Sequence, residues 1–173
     1  MCFFDTRANM AFKQIFVLII FAFAVDALKW KNCDRSSPVE INDIQLKPNP
    51  VVVKAGAEVT FSGRFTVAGA AGTRYELDVT LWRSGWWGTW IRVPCFGQCN
   101  RDIGCDEMVK LLEGAQCPLK NGEYVVKHQT HKLSNVSIPS FIKNGKYKIK
   151  ADLRDKGNNR RVSCLEAEVE LRS

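Results

Sequence analysis

The sequence predicts an all-β domain: a two-sheet antiparallel β-sandwich with one short helix and three disulfides. Three observations carry this. Apolar residues recur at every second position in several runs, the period of a strand with one buried face. Turn-forming pairs separate those runs at the spacing of a sandwich. Six cysteines, an even number, follow an apolar leader of the kind that marks export.

The leader comes first in the chain. Arg7 and Lys13 precede an apolar run from Ile15 to Val25. A run of this length matches a signal-peptide core and falls short of the ~20 residues that span a bilayer. Val25-Asp26-Ala27 resembles a cleavage site, so residues 1–27 are expected to be a signal peptide and 28–173 the folded domain. Cleavage after Ala24 is the alternative, and Met10 is a second candidate start. A membrane anchor is the competing reading, although no later apolar run reaches spanning length. Cys2 leaves with the leader, which leaves Cys33, Cys95, Cys99, Cys105, Cys117 and Cys164. Six cysteines allow 15 pairings, and their spacing alone does not choose among them.

No internal repeat, low-complexity tract or linker divides 28–173, so it reads as one domain. Lys47-Pro48-Asn49-Pro50 precedes Val51-Val52-Val53, which suits an edge strand because proline cannot donate to a ladder. Val59, Phe61, Phe65 and Val67 form one apolar row, interrupted at Gly63. Tyr75, Leu77, Val79 and Leu81 share a face opposite Glu76, Asp78 and Thr80. Met108, Leu111 and Leu112 follow helical spacing, with Asp106 and Glu107 in the first turn and Gly114 as a stop. Tyr147, Ile149 and Ala151 alternate with lysines, and Leu165, Ala167, Val169 and Leu171 alternate with glutamates. Asn121-Gly122, Asn144-Gly145 and Lys156-Gly157-Asn158 supply turns. About seven strands result, the count of a small sandwich.

Catalysis has little foothold. There is no G-x-S-x-G, no H-E-x-x-H and no phosphate-binding glycine loop. The two histidines, His128 and His131, stand three residues apart on one expected strand and so point to opposite faces. The spacing of Cys95, Cys99, Cys105 and Cys117 does not make a zinc knuckle, and in an exported chain disulfides are the expected state. The chain is therefore read as a non-enzyme with no catalytic residues, metal or cofactor. Its net charge of +7 permits anionic partners without specifying nucleic acid, and no nucleic-acid partner is expected. The lysines around Lys146–Lys150 either draw the protein to anionic membranes or simply solvate an outer sheet face.

The most unusual stretch is Leu81 to Ile91, which holds four of the five tryptophans. Gly85 and Gly88 flank Trp86-Trp87, so the pair is expected to cap a turn between two strands. Indole prefers membrane–water interfaces, being an apolar body with one donor. The turn thus touches a bilayer or covers a lipid pocket, or else folds back into the domain; a carbohydrate platform is a third use. Asn135-Val136-Ser137 is a glycosylation sequon, which makes Asn135 a candidate glycan site.

An ordered series of segments then points to a family. Trp30-Lys31-Asn32-Cys33-Asp34 is followed by Ile44 to Val51, Trp90 to Cys95 and Cys105 to Leu112. Cys117 to Tyr124, Ile138 to Ile142 and Gly145-Lys146-Tyr147 complete it. In order and spacing, over residues 30–172, these resemble the GM2-activator-like branch of the MD-2-related lipid-recognition (ML) family. The resemblance implies a sandwich opened into a cup with a lipid cavity between its sheets. It also implies the pairings Cys33–Cys164, Cys95–Cys99 and Cys105–Cys117. A further cysteine pair of that branch, after the helix, is missing here, Phe141 stands where the branch has tryptophan, and the basic balance departs from it.

The expected function is non-enzymatic uptake and transfer of glycosphingolipid or phospholipid acyl chains, with the headgroup presented to a glycosidase as in glycolipid degradation. Trp86, Trp87, Trp90, Phe141 and Ile142 are the expected lipid or membrane contacts. Partners are lipid and, transiently, a membrane surface. The destination is secreted, with a lysosomal option that comes from the resemblance. The rival readings are a sterol carrier and a secreted lipid-recognition or defence protein acting through a receptor.

Overall fold

The computed structural model describes residues 28–69, 72–94, 99–133 and 144–173. The expected signal peptide, Cys95, Asn135, Phe141 and Ile142 lie outside the described residues. The strands are β1 (Lys29–Asn32), β2 (Val39–Lys47), β3 (Val51–Val52), β4 (Glu58–Val67), β5 (Arg74–Ser84), β6 (Trp90–Val93), β7 (Asn100–Gly104), β8 (Gly122–Lys132), β9 (Gly145–Asp155) and β10 (Arg161–Arg172). A single helix among the described residues, α1 (Cys105–Val109), and a 3-10 turn, Trp86–Gly88, complete the set.

The all-β expectation holds. A seven-stranded sheet runs β1-β10-β9-β5-β6, with β3 also on β10 and β7 also on β5. The second sheet is β2-β4-β8. The expected alternation sets both faces of the large sheet. Tyr75, Leu77, Val79 and Leu81 of β5 lie in register with Leu153, Ala151, Ile149 and their β10 partners on the inner face. On the outer face, Lys146, Lys148 and Lys150 stand opposite Glu170, Glu168 and Glu166 of β10. Beyond them, Lys29 and Lys31 of β1 face Glu168 and Glu166. Opposite charges therefore meet at these positions of β1, β10 and β9, the arrangement that favours strand pairing. The lysines at 146–150 thus lie on the outer face of the sheet.

Three details differ from the sequence-based expectation. The short β3 pairs parallel to β10, so the large sheet is not purely antiparallel. More strands form than the periodicity counted, because β6 and β7 take separate stretches of the same β5 edge. The helix ends at Val109, well before Gly114. The chain leaves it to cover the edge of β8: Lys127 N–H donates to Leu111 O at 2.9 Å and Glu113 N–H donates to Val125 O at 3.1 Å. Backbone groups of a sheet edge thus win over one further helical turn.

The small sheet is bent. β2 carries a bulge between Ile41 and Asp43, and β8 one opposite Phe61–Gly63. A Cβ at Gly63 would lie 2.7 Å from the Asp43 carbonyl oxygen, so glycine permits β4 to pass the bulge. One corner joins the sheets. The Asn32 amide donates to Ile41 O at 2.8 Å and accepts from Ile41 N–H at 3.1 Å, which links β1 to β2. Next to it Cys33 is bonded to Cys164 of β10, with Cα atoms 5.2 Å apart.

An ionic network lies above this corner. Arg161 donates through Nη2 and Nε to Asp152 at 2.6 and 3.0 Å, and through Nη1 to Asp34 at 3.3 Å. Asp34 also accepts from the Ser36 hydroxyl and N–H at 2.7 and 2.9 Å. These Ser36 bonds first, and Arg161 after them, hold the Asp34 carboxyl down at about 2.

Two predictions follow from this corner. Asn32→Ala removes a two-bond link at a part-buried site and should lower stability by about 1–3 kcal/mol in urea unfolding. An unchanged midpoint would show that the disulfide alone holds the corner. Asp34 has a depressed folded pKa, so its contribution is present above the unfolded value near 3.8 and is lost as pH falls towards 2. Melting curves of Asp34→Asn should therefore lie below wild type by a constant interval from pH 7 to about 5, and the two should converge only below pH ~4.

Candidate functional site: an apolar cavity and an exposed tryptophan turn

The inner faces do not close on each other. Between them, at the helix end, lies a cavity of about 240 Å³. Val39 and Ile41 of β2, Phe61 and Phe65 of β4 and Val126 of β8 form one wall. Tyr75, Leu153, Val162 and Ser163 of the large sheet form the other. Met108, Leu111, Leu112 and Leu119 close the end. Among the described lining side chains only two carry a hydroxyl, and that of Tyr75 donates away, to Gly72 O at 2.5 Å. A hollow of this polarity does not hold water; its chemistry suits a hydrocarbon chain.

The walls are anchored where they are tightest. Tyr75, Cys105 and Val162 form one fully packed cluster, and Val67, Leu112 and Leu119 another. The Cys105–Cys117 disulfide, Cα atoms 5.8 Å apart, ties α1 to the segment that follows it. Burial raises the Tyr75 phenol above its ordinary value, with the Asp155 carboxylate adding to the shift. Leu77, Val79 and Leu81, further along β5, are only half-buried on the inner face.

The tryptophan turn stands at the far end of β5 from Tyr75. Gly85 N–H donates to Thr89 O at 2.7 Å, and the Thr89 hydroxyl donates to Trp86 O at 2.9 Å. Trp87 and Gly88 take positive φ of 64° and 74°, which Gly88 accepts without cost and Trp87 does not. Trp86 and Trp87 are 87% and 97% exposed, so this pair does not fold back into the domain. A strained backbone that presents two bare indoles is an arrangement for contact with something else.

Trp90 is separated from them. It opens β6 opposite Ser84, on the outer face of the large sheet, with Lys148 Nζ 4.5 Å from its ring centroid. Its partner is thus a cation of the same sheet. His128 and His131 are exposed on β8, and no group of metal-ligating side chains occurs among the described residues. Cys33–Cys164 and Cys105–Cys117 match the expected pairings; Cys99 is disulfide-bonded, and its expected partner Cys95 lies outside the described residues.

Sequence reasoning missed one residue of this inner face. Arg83 occupies the same parity as Tyr75, Leu77, Val79 and Leu81, opposite Tyr147 and Ile91. The signal was present: a cation continues an otherwise apolar row.

A family model described as ML domain matches residues 27–171. The chain belongs to the ML domain family. It is similar to the ganglioside GM2 activator of Mus musculus, 25% identical over 161 residues, covering 83% of this chain and 81% of that one. It is similar also to a phosphatidylglycerol/phosphatidylinositol transfer protein of Emericella nidulans, 28% identical over 134 residues, covering 75% of this chain and 64% of that one. The solved structure of a Niemann-Pick type C2 protein from Japanese carpenter ant aligns at 15% identity with a TM-score of 0.47, over 82% of this chain and 98% of that one. Within this ML domain no described helix is long and apolar enough to cross a membrane.

Truncating the packed end should loosen the cavity wall. Leu112→Ala is expected to cost about 2–5 kcal/mol in chemical unfolding, whereas Trp86→Ala, which leaves no buried partner behind, should cost less than about 0.5 kcal/mol. A large loss at Trp86 would show that the turn is structural.

Proposed function

We propose that this ML domain is a non-enzymatic lipid-binding and transfer protein. It takes the acyl chains of a glycosphingolipid or phospholipid from a membrane and presents the headgroup. The observation that carries this is the apolar cavity between the sheets. The names of two relatives, a ganglioside activator and a phospholipid transfer protein, agree with it. In the finer form of the reading, the presented lipid is a glycolipid and a glycosidase acts on it, the protein being secreted and delivered to lysosomes. The low pKa of Asp34, about 2, is compatible with that destination, because this carboxylate stays charged at about pH 5.

The energetics favour a transfer role over tight capture. Burying a methylene from water is worth about 0.8 kcal/mol, but a tail in a bilayer is already out of water. Extraction exchanges one apolar environment for another, so net affinity stays modest and the barrier is the moment when the tail is wet. Trp86 and Trp87 at the bilayer surface lower that barrier by bringing the protein's apolar interior close.

Native mass spectra of protein from a eukaryotic secretory host should show one bound phospholipid or sphingolipid. Bound sterol would replace this reading with a sterol carrier, and a chain that stays empty in the presence of added lipid would end it. Val126→Phe fills part of the cavity and should reduce lipid loading at least about tenfold while leaving the melting temperature within a few degrees. Trp86→Ala with Trp87→Ala should slow vesicle-to-vesicle transfer by about tenfold or more at unchanged loading. Unchanged transfer would remove the turn from the mechanism.

A further inference from the structure

Arg83 ends the inner row of β5, two residues before the tryptophan turn begins at Gly85. Its inner-face neighbours across the ladder are Tyr147, which is buried, and Ile91. Among the described residues one hydrogen bond holds it: Nη2 donates to the Asn144 carbonyl at 3.1 Å. Gly145 makes room for this, since a Cβ there would lie 3.2 Å from Arg83 Nε. The Nε itself is buried and has no hydrogen-bond partner. Among the described residues no carboxylate pairs with the guanidinium.

This is a costly placement. A half-buried cation without a counter-ion has lost hydration and gained little in exchange. An unpaired buried N–H adds the desolvation of one donor. The other inward-facing positions of this row are apolar, so the charge is not part of the core packing. The outer-face lysines, by contrast, meet glutamates across the ladder. Among the described residues Arg83 has no counter-ion on the inner face, and it stands two positions before the turn that carries the exposed indoles.

We infer that Arg83 is the headgroup contact of the carried lipid and that it selects a headgroup bearing a phosphodiester. This rests on the lipid-carrier reading above and adds the substrate class. The guanidinium fork fits two oxygens of a phosphate side by side, in charge-assisted hydrogen bonds stronger than those to a neutral sugar hydroxyl. An arriving anion supplies the missing counter-ion and gives the idle Nε a reason to turn outward. A lipid with its tails towards Tyr75 and its phosphate at Arg83 lies along β5, a distance of about 26 Å for eight strand residues at about 3.3 Å each. The glycerol or sugar beyond the phosphate is then outside the protein.

The test is competitive loading from one vesicle population. Vesicles carry equal amounts of phosphatidylglycerol and a galactosyl diacylglycerol with the same acyl chains, and native mass spectrometry reads the ratio bound. Sharing one vesicle removes any difference in surface attraction. Wild type should load phosphatidylglycerol about tenfold over the neutral lipid, and Arg83→Gln should bring the ratio near one by lowering the phosphatidylglycerol bound. Equal loading in wild type, or a ratio that survives Arg83→Gln, overturns the assignment while leaving the carrier reading intact. Loading of neither lipid by wild type overturns both. If Arg83→Gln does not fold, Arg83→Lys decides: it keeps the charge and loses the fork, so the ratio should fall at least about threefold, and an unchanged ratio counts against the proposal. Glycerol 3-phosphate, which has the phosphate and no tails, should not displace the lipid at millimolar concentration; displacement would make this a free-phosphate site.

Discussion

An apolar hollow between two sheets depends on the backbone that frames it. A cavity of about 240 Å³ costs on the order of 6 kcal/mol in lost packing. The Cys33–Cys164 bridge spans 131 residues and contributes about 5 kcal/mol in the chain-entropy view; Cys105–Cys117 spans 12 and contributes about 3. The two sums are close, so the bridges offset the hollow. Their placement matters as much as their size. One fixes the corner where β1 and β10 meet β2, together with the Asn32–Ile41 pair; the other fixes the helix end. Between these points lies the cavity.

Much of this was legible in the sequence because alternation reports faces directly. The rows at Tyr75–Leu81, Tyr147–Ala151 and Leu165–Leu171 all lie on the inner face where period two put them. What alternation does not report is the distance to the opposite wall. An inward leucine reads the same whether it meets another side chain or a void, so the cavity itself could not be seen from the pattern. Nor could β3 pairing parallel to β10, since two valines carry no direction. The end of the helix is not legible either, because Leu111 and Leu112 fit helical spacing while the backbone at that point answers to the open edge of β8. The turn at Trp86–Trp87 is legible from its glycines; that Trp90 sits on the outer face under Lys148 is not, because alternation within a strand does not carry across a turn.

The charge of the chain divides in the same way. A net of +7 suggests a basic surface, but on the large sheet basic and acidic columns alternate strand by strand. Such a face is well hydrated and self-neutralising, and it gives an anionic membrane no continuous patch to meet. Long-range attraction from the net charge remains, screened within about 8–10 Å at physiological salt. The largest exposed apolar side chains among the described residues are the two bare indoles, Trp86 and Trp87.

Recognition of a lipid then has to be divided between the two ends of β5. The cavity end is almost wholly hydrocarbon, and a methylene is worth the same there in every lipid class. Tails can set how much of a ligand is held and how strongly; they carry no information about the headgroup. Whatever discrimination the protein has must arise where the inner face stops being apolar. On β5 that point is Arg83, the one charged residue in a row that otherwise runs from Tyr75 through Leu77, Val79 and Leu81. A neutral residue there would extend the hydrocarbon surface and stabilise the empty protein. The unneutralised guanidinium does the opposite, and its cost is recovered only when an anion is present. Selectivity of this kind is stored in the empty state as a mild instability and released on binding, which is how a largely featureless hollow can still prefer one lipid over another.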